Sequence, residues 1–143
     1  MTTSELDEHF LRRSFDVARR SMTHGNHPFG AILVDESRNV LIETENGYMP
    51  AHDGTGHAER LLATQACTTL GTDVLRNATL YSSAEPCAMC AGAIYWAGIG
   101  RVVYLQNAAS RTQFSDDSLC ALENSSHLIT KGFRPQCFRQ VTA

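Results

Sequence analysis

The closest cysteines in the chain are Cys87 and Cys90, within Pro86-Cys87-Ala88-Met89-Cys90. Proline is well tolerated in the first turn of a helix, so the stretch reads as a helix start with both sulfurs on one face. The positive end of a helix favours the thiolate form that a metal requires. By itself the pair fits a redox dithiol, half of a structural zinc site, or two core cysteines. His57-Ala58-Glu59, at the start of the preceding predicted helix, adds a second signal. Two thiolates and one imidazole leave one position of a tetrahedral ion open to water, which is the catalytic pattern for zinc. Glu59 is then placed to take the water's proton and hand it on. Its plainer role is an acidic residue complementing the helix dipole.

Other residues compete for the ligand role. His52 lacks a paired carboxylate, because position 54 is glycine, and reads as a loop residue edging the site. Cys67 falls mid-helix, and Cys120 and Cys137 have no close partner, so all three read as core or surface thiols. His9, His24, His27 and His127 carry no local support for metal binding.

The elements that must position these residues follow from periodicity and punctuation. Ser4-x-x-Asp7 resembles a capping box, followed by Leu11, Phe15, Ala18 and Met22 as one helical stripe, with Arg12, Arg13, Arg19 and Arg20 as a solvated face in preference to a phosphate patch. Phe29–Asp35 and Val40–Glu45 read as strands joined by a hairpin turn, and 46–56 as loop. His57–Leu70 reads as a helix, Ala78–Ser83 as a strand, and Pro86 to about Ala97 as a helix. Arg101–Gln106 reads as a strand, Thr112–Glu123 as a helix and Pro135–Val141 as a short last strand. This α-β-β-α-β-α-β-α-β order predicts an α/β fold: a three-layer α/β/α sandwich around a five-stranded mixed sheet.

Composition narrows the class. A chain of 143 residues fits one domain spanning 1–143. With 43% hydrophobic and 19% charged residues, it is neither disordered nor a coiled coil. No apolar run reaches the roughly 18–20 residues of a membrane span, and the acidic, polar stretch from Met1 to Phe10 does not read as a signal peptide. Five cysteines, an odd number, argue against a disulfide framework and for a cytoplasmic setting. A net charge of −3, with a single lysine, disfavours a nucleic-acid partner. That partner stays open only if Arg101, Arg111, Arg134 and Arg139 gather into a patch.

His57-Ala58-Glu59 followed by Pro86-Cys87-x-x-Cys90 resembles the H-x-E…P-C-x-x-C signature of the zinc-dependent cytidine/deoxycytidylate-type deaminases. Pro28-Phe29-Gly30-Ala31, Asn46, Leu80-Tyr81-Ser82-Ser83 and Gly92-Ala93-Ile94-Tyr95-Trp96-Ala97 resemble the same family in the same order, over about residues 5–120. The look is nearest to the bacterial guanine deaminases, then to the tRNA adenosine and yeast-type cytosine branches.

The resemblance implies one zinc per chain held by His57, Cys87 and Cys90, with Glu59 as the proton shuttle. It implies that Asn46 hydrogen-bonds the substrate ring, that Phe29 and Trp96 wall the base pocket, and that Ala58 and Cys87 offer backbone N–H groups. For Phe29 and Trp96, plain core packing is the equal alternative. Asp116-Asp117 resembles an acidic pair that assists proton transfer at a purine, although an extra residue separates it from Phe114. A helix-capping pair is the alternative there.

The activity expected is hydrolytic deamination of a nucleobase, with zinc-activated water attacking the carbon that bears the amine. A free purine, guanine first, is the expected substrate. Cytosine, isocytosine or a triazine, adenosine in tRNA, and nucleosides are the alternatives. A homodimer is expected, with the Ala91–Ile99 stretch as its contact. The rival from another class is a non-catalytic zinc-binding module, which would need neither Glu59 nor Asn46.

Overall fold

The computed structural model describes residues 2–105, 128–131 and 138–140. Helix α1 (Thr3–Thr23) is followed by strands β1 (Gly30–Val34) and β2 (Val40–Glu45), then helices α2 (Ala58–Thr69) and α3 (Thr72–Asn77). Strand β3 (Thr79–Ser82), helix α4 (Ala88–Ala97) and strands β4 (Arg101–Leu105), β5 (Leu128–Lys131) and β6 (Phe138–Gln140) complete the order. The strands form one mixed sheet in the order β2-β1-β3-β4-β5-β6. Among the described residues only β3 and β4 run parallel, with α4 as their crossover; β1 and β2 form an antiparallel hairpin.

The three layers follow from the two-residue period of the central strands. Ile32, Val34, Tyr81, Val103 and Leu105 pack with Phe10, Leu11, Phe15 and Val17 of α1. The alternate positions Ala31, Leu33, Leu80, Val102 and Tyr104 pack with Leu62, Ala66 and Ile94 of α2 and α4. Strands covered on both faces read as unbroken apolar runs, and β1 is buried at every position. Gly30 has a specific reason to be glycine. A Cβ there would lie 2.6 Å from both Ala18 N and Ser14 O, where α1 crosses the sheet.

Several expectations are corrected. Among the described residues the sheet has six strands rather than five, because β5 pairs antiparallel with both β4 and β6. A four-residue strand is too short to stand out by periodicity, and α3, with six residues, escaped notice for the same reason. The predicted helix at Thr112–Glu123 lies outside the described residues. The capping box of α1 is Thr2 with Glu5, not Ser4 with Asp7. Met22 is exposed, while Leu11, Phe15 and Ala18 are buried as the stripe requires.

Asp7 has another use. It is buried and takes a paired contact from the Arg101 guanidinium, one arm at 2.8 Å, while the Tyr81 hydroxyl donates to it at 2.8 Å. Burial, then the neighbouring Asp7 charge, pushes the Tyr81 phenol well above its ordinary value. The cluster ties α1 to β3 and β4. Removing one partner strands a desolvated charge, so Asp7→Ala is expected to cost about 3 kcal/mol, read from the urea unfolding midpoint. A loss below about 1 kcal/mol would show the pair to behave as a surface contact.

Candidate active site

Helices α2 and α4 pack side by side on one face of the sheet, and both begin at the same end of it. His57 is the N-cap of α2 and Cys87 the N-cap of α4, each with extended backbone, and neither side chain caps its own helix. Both side chains are thereby released toward the space between the two helix starts. Cys90, one turn into α4, is buried beside them. Gly98 ends α4 in the left-handed conformation, φ 78°, that turns the chain into β4.

His57 Nδ1 lies 3.5 Å from Cys87 Sγ and 3.5 Å from Cys90 Sγ. The three donor atoms fall within 4.8 Å of one another. Tetrahedral zinc with bonds of about 2.0–2.3 Å has ligand-to-ligand edges of roughly 3.3–3.8 Å, so this donor set has both the chemistry and the spacing to hold that ion. His52 is not part of the cluster; it sits in the 46–56 loop with φ 57° and meets Tyr48 edge-on at 5.5 Å. Cys67 is exposed on α2. Cys120 and Cys137 lie outside the described residues, as do Asp116 and Asp117.

The thiol chemistry differs from the sequence expectation. The helix start was expected to favour the Cys90 thiolate, yet burial, then the nearby Glu59 and Cys87, push the thiol far above its ordinary value. Desolvation beside a carboxylate outweighs a helix dipole, which contributes about 0.3–1 kcal/mol at an exposed site. A cation among the three donors is what would offset that penalty.

Glu59 is 6% exposed, and burial pushes its carboxyl above the ordinary range. Ser82 Oγ donates to its Oε1 at 2.9 Å, and Cys90 Sγ lies 3.8 Å from its Oε2. The single hydroxyl proton of Ser82 has a second acceptor in reach, Ala84 O at 2.7 Å. The residue was not singled out from sequence. Its signal was a pair of serines at the end of the predicted strand Ala78–Ser83, both of them buried.

Asn46 follows β2 and is 5% exposed. Its Oδ1 accepts from the Tyr48 N–H at 3.0 Å, which leaves the amide NH2 as the donor it can offer a ring. Phe29 is half-buried against the α2-side core and joined to Asn46 through the backbone, Asn46 N donating to Phe29 O at 3.0 Å. Ala58 opens α2, where backbone N–H groups have no partner within the helix. Trp96 is 84% exposed and stacks edge-on with Tyr95. Six residues beyond Cys90, it stands about 9 Å along α4 and off the face that carries the thiol. Arg60, also unforeseen, braces the turn before His57 by donating to Thr55 O and Asp53.

A family model of the cytidine and deoxycytidylate deaminase zinc-binding region matches residues 4–106. A probable cytosine deaminase of Schizosaccharomyces pombe is 38% identical over 135 residues, 92% of this chain and 82% of that protein. A tRNA-specific adenosine deaminase of Haemophilus influenzae is 37% identical over 120 residues, 80% of this chain and 69% of that one. The crystal structure of guanine deaminase from Bacillus subtilis, 33% identical, superposes with a TM-score of 0.66 over 100% of this chain and 87% of that one. A family match over most of the chain, together with a donor set of the right kind and spacing, leads to one conclusion: the chain belongs to the cytidine and deoxycytidylate deaminases, a zinc-dependent hydrolytic family.

Proposed function

We propose that this deaminase acts on a free nucleobase, guanine first, exchanging a ring amine for oxygen and releasing ammonia. The observation that carries the reading is a buried carboxylate, Glu59, beside the cluster of His57, Cys87 and Cys90. In this reading those three residues hold one zinc. When bound, the metal supplies Lewis acidity that brings the pKa of a water toward neutrality. Glu59 accepts a proton from the attacking water and delivers it to the ring nitrogen next to the reacting carbon. A second proton passes through the same carboxylate to the amine, the carbon–nitrogen bond breaks, and the ring keeps the water's oxygen.

The neighbouring residues bind and orient. Asn46 donates its NH2 to an acceptor on the ring. The Ala58 N–H is a second donor and Phe29 offers an aromatic face, whereas Trp96, exposed and off the thiol-bearing face of α4, falls within the dimer contact. By the resemblance, one residue of the pair Asp116 and Asp117 would assist Glu59 in proton transfer at a purine, with a helix-capping pair as the alternative. A cytoplasmic homodimer is part of the reading, supported by the exposed Tyr95 and Trp96 on an apolar α4; among the described residues no helix is long and apolar enough to cross a membrane.

Two observations favour a free base over tRNA. The likeness to the Bacillus subtilis guanine deaminase structure covers 100% of this chain. The four arginines of α1 are each paired with a carboxylate, Arg12 with Glu8, Arg13 with Glu43, Arg19 with Asp16, and Arg20 with Glu43 and Glu45. A neutralised helix face has little positive charge left for phosphates. Cytosine is the second reading, favoured by the Schizosaccharomyces pombe relative that spans 92% of the chain.

Ammonia release from guanine, cytosine, isocytosine, adenine, their nucleosides and a tRNA anticodon stem tests the assignment. Guanine turnover is expected to change little as salt rises, whereas a tRNA substrate would lose affinity by orders of magnitude between about 50 and 200 mM. Salt-sensitive tRNA deamination with no ammonia from any free base would overturn the guanine assignment. Asn46→Ala should leave a polar group of the buried ring unpaired, costing about 1–3 kcal/mol, or roughly ten- to a hundredfold in kcat/KM.

A further inference from the structure

Ser82 lies at the C-terminal end of β3, buried, on the side of the sheet covered by α2 and α4. Its register partner is Ala31, and Leu80, two residues earlier, packs into the same apolar layer. A hydroxyl at this position cannot serve packing as an aliphatic side chain would, and burying it requires partners. It has three. Oγ donates to Glu59 Oε1 at 2.9 Å, has Ala84 O at 2.7 Å, and accepts from Ala84 N at 3.4 Å.

The two sides of this contact belong to different parts of the site. Glu59 is in the first turn of α2, whereas Ala84 is in the turn that runs through Pro86 to Cys87, the N-cap of α4. Ser82 therefore joins the carboxylate to the turn that delivers a thiol. The carboxylate's two oxygens are thereby distinguished. Oε1 meets the strand hydroxyl, and Oε2 lies toward Cys90, 3.8 Å from its sulfur.

We infer that Ser82 is a positioning residue for Glu59, anchoring Oε1 so that Oε2 is the oxygen facing water and ring. The inference rests on the deaminase mechanism proposed above. A carboxylate held through one oxygen cannot rotate about its terminal torsion, which is otherwise broad. Orientation of a proton-transfer group is worth large factors, because a misplacement of about 1 Å can cost on the order of a hundredfold.

The test compares Ser82→Ala and Ser82→Thr with the wild type on whichever base the wild type turns over. Ser82→Ala is expected to keep one zinc per chain and a KM within about twofold, with kcat lowered roughly ten- to a hundredfold. Ser82→Thr keeps the hydroxyl and should recover most of kcat. A Ser82→Ala enzyme with kcat within about twofold of wild type would overturn the inference. So would a Ser82→Thr enzyme no better than Ser82→Ala, or a Ser82→Ala protein that loses zinc and substrate affinity together, since that marks a merely structural role. If the wild type releases no ammonia from any ring, the proposed function fails and Ser82 is judged by a crystal structure of zinc-loaded Ser82→Ala. A Glu59 carboxylate rotated from its wild-type orientation supports the anchor, and an unmoved one refutes it.

Discussion

His57→Ala, Cys87→Ala and Cys90→Ala proteins should each purify with little or no zinc, and deamination should fall by more than about a hundredfold. That expectation is conservative, because changing even a residue behind the ligands costs about 10–100-fold in metal affinity or activity. His57 Nδ1 lies 3.5 Å from each sulfur, and the expected ion draws on all three donors, so losing any one leaves only two of them. Cys90→Ala carries a further consequence. It truncates a buried side chain by a single sulfur atom, a small loss of packing, so the metal-free variant should not be severely destabilised. Metal analysis and thermal unfolding, with and without added zinc, read both effects. Undiminished zinc in both cysteine variants, or two or more tightly bound zincs per wild-type chain, would contradict the assignment.

Substitutions at Glu59 should separate metal from chemistry. Glu59→Ala should bind one zinc per chain and still lose turnover by about 10²–10⁴-fold, the usual contribution of a positioned general acid/base. Glu59→Gln preserves the side-chain volume and an oxygen able to accept from Ser82, so it should retain substrate binding while losing the same turnover. Equilibrium binding of the base to Glu59→Gln, set beside single-turnover rates, distinguishes this from a collapsed pocket. An enzyme with Glu59→Ala retaining about a third of the wild-type rate would refute the proton-transfer role.

These two sets of variants divide along the line between local and long-range structure. Cys87 and Cys90 are three residues apart at a helix start, and such spacing places their side chains together whatever the rest of the chain does. Glu59, two residues beyond His57 in the first turn of α2, was legible as part of the motif. Side chains at that spacing do not face each other, however, and contacts with Ser82 and Cys90 on other elements set its position. The buried strands and the helices that alternate with them were legible for a similar reason, since their apolar patterns repeat over several residues. Short elements were not: β5 and α3 contain too few residues to establish a period.

Sequence by itself therefore determined the donor types, their spacing within each helix, the carboxylate proposed for proton transfer and the layered α/β architecture. Tertiary structure decided which end of the sheet brings His57 against the two cysteines, because thirty residues of chain separate the two motifs and only the packing of α2 on α4 closes that distance. It also decided that burial would override the helix dipole at Cys90, and that Asp7 would leave its expected cap for Arg101 and Tyr81. Trp96 emerged exposed on α4, and Ser82 reached the carboxylate of another element. Each of these outcomes depends on desolvation or on contacts between residues remote in sequence. Such energies have no local pattern, so they become visible only when the layers are assembled.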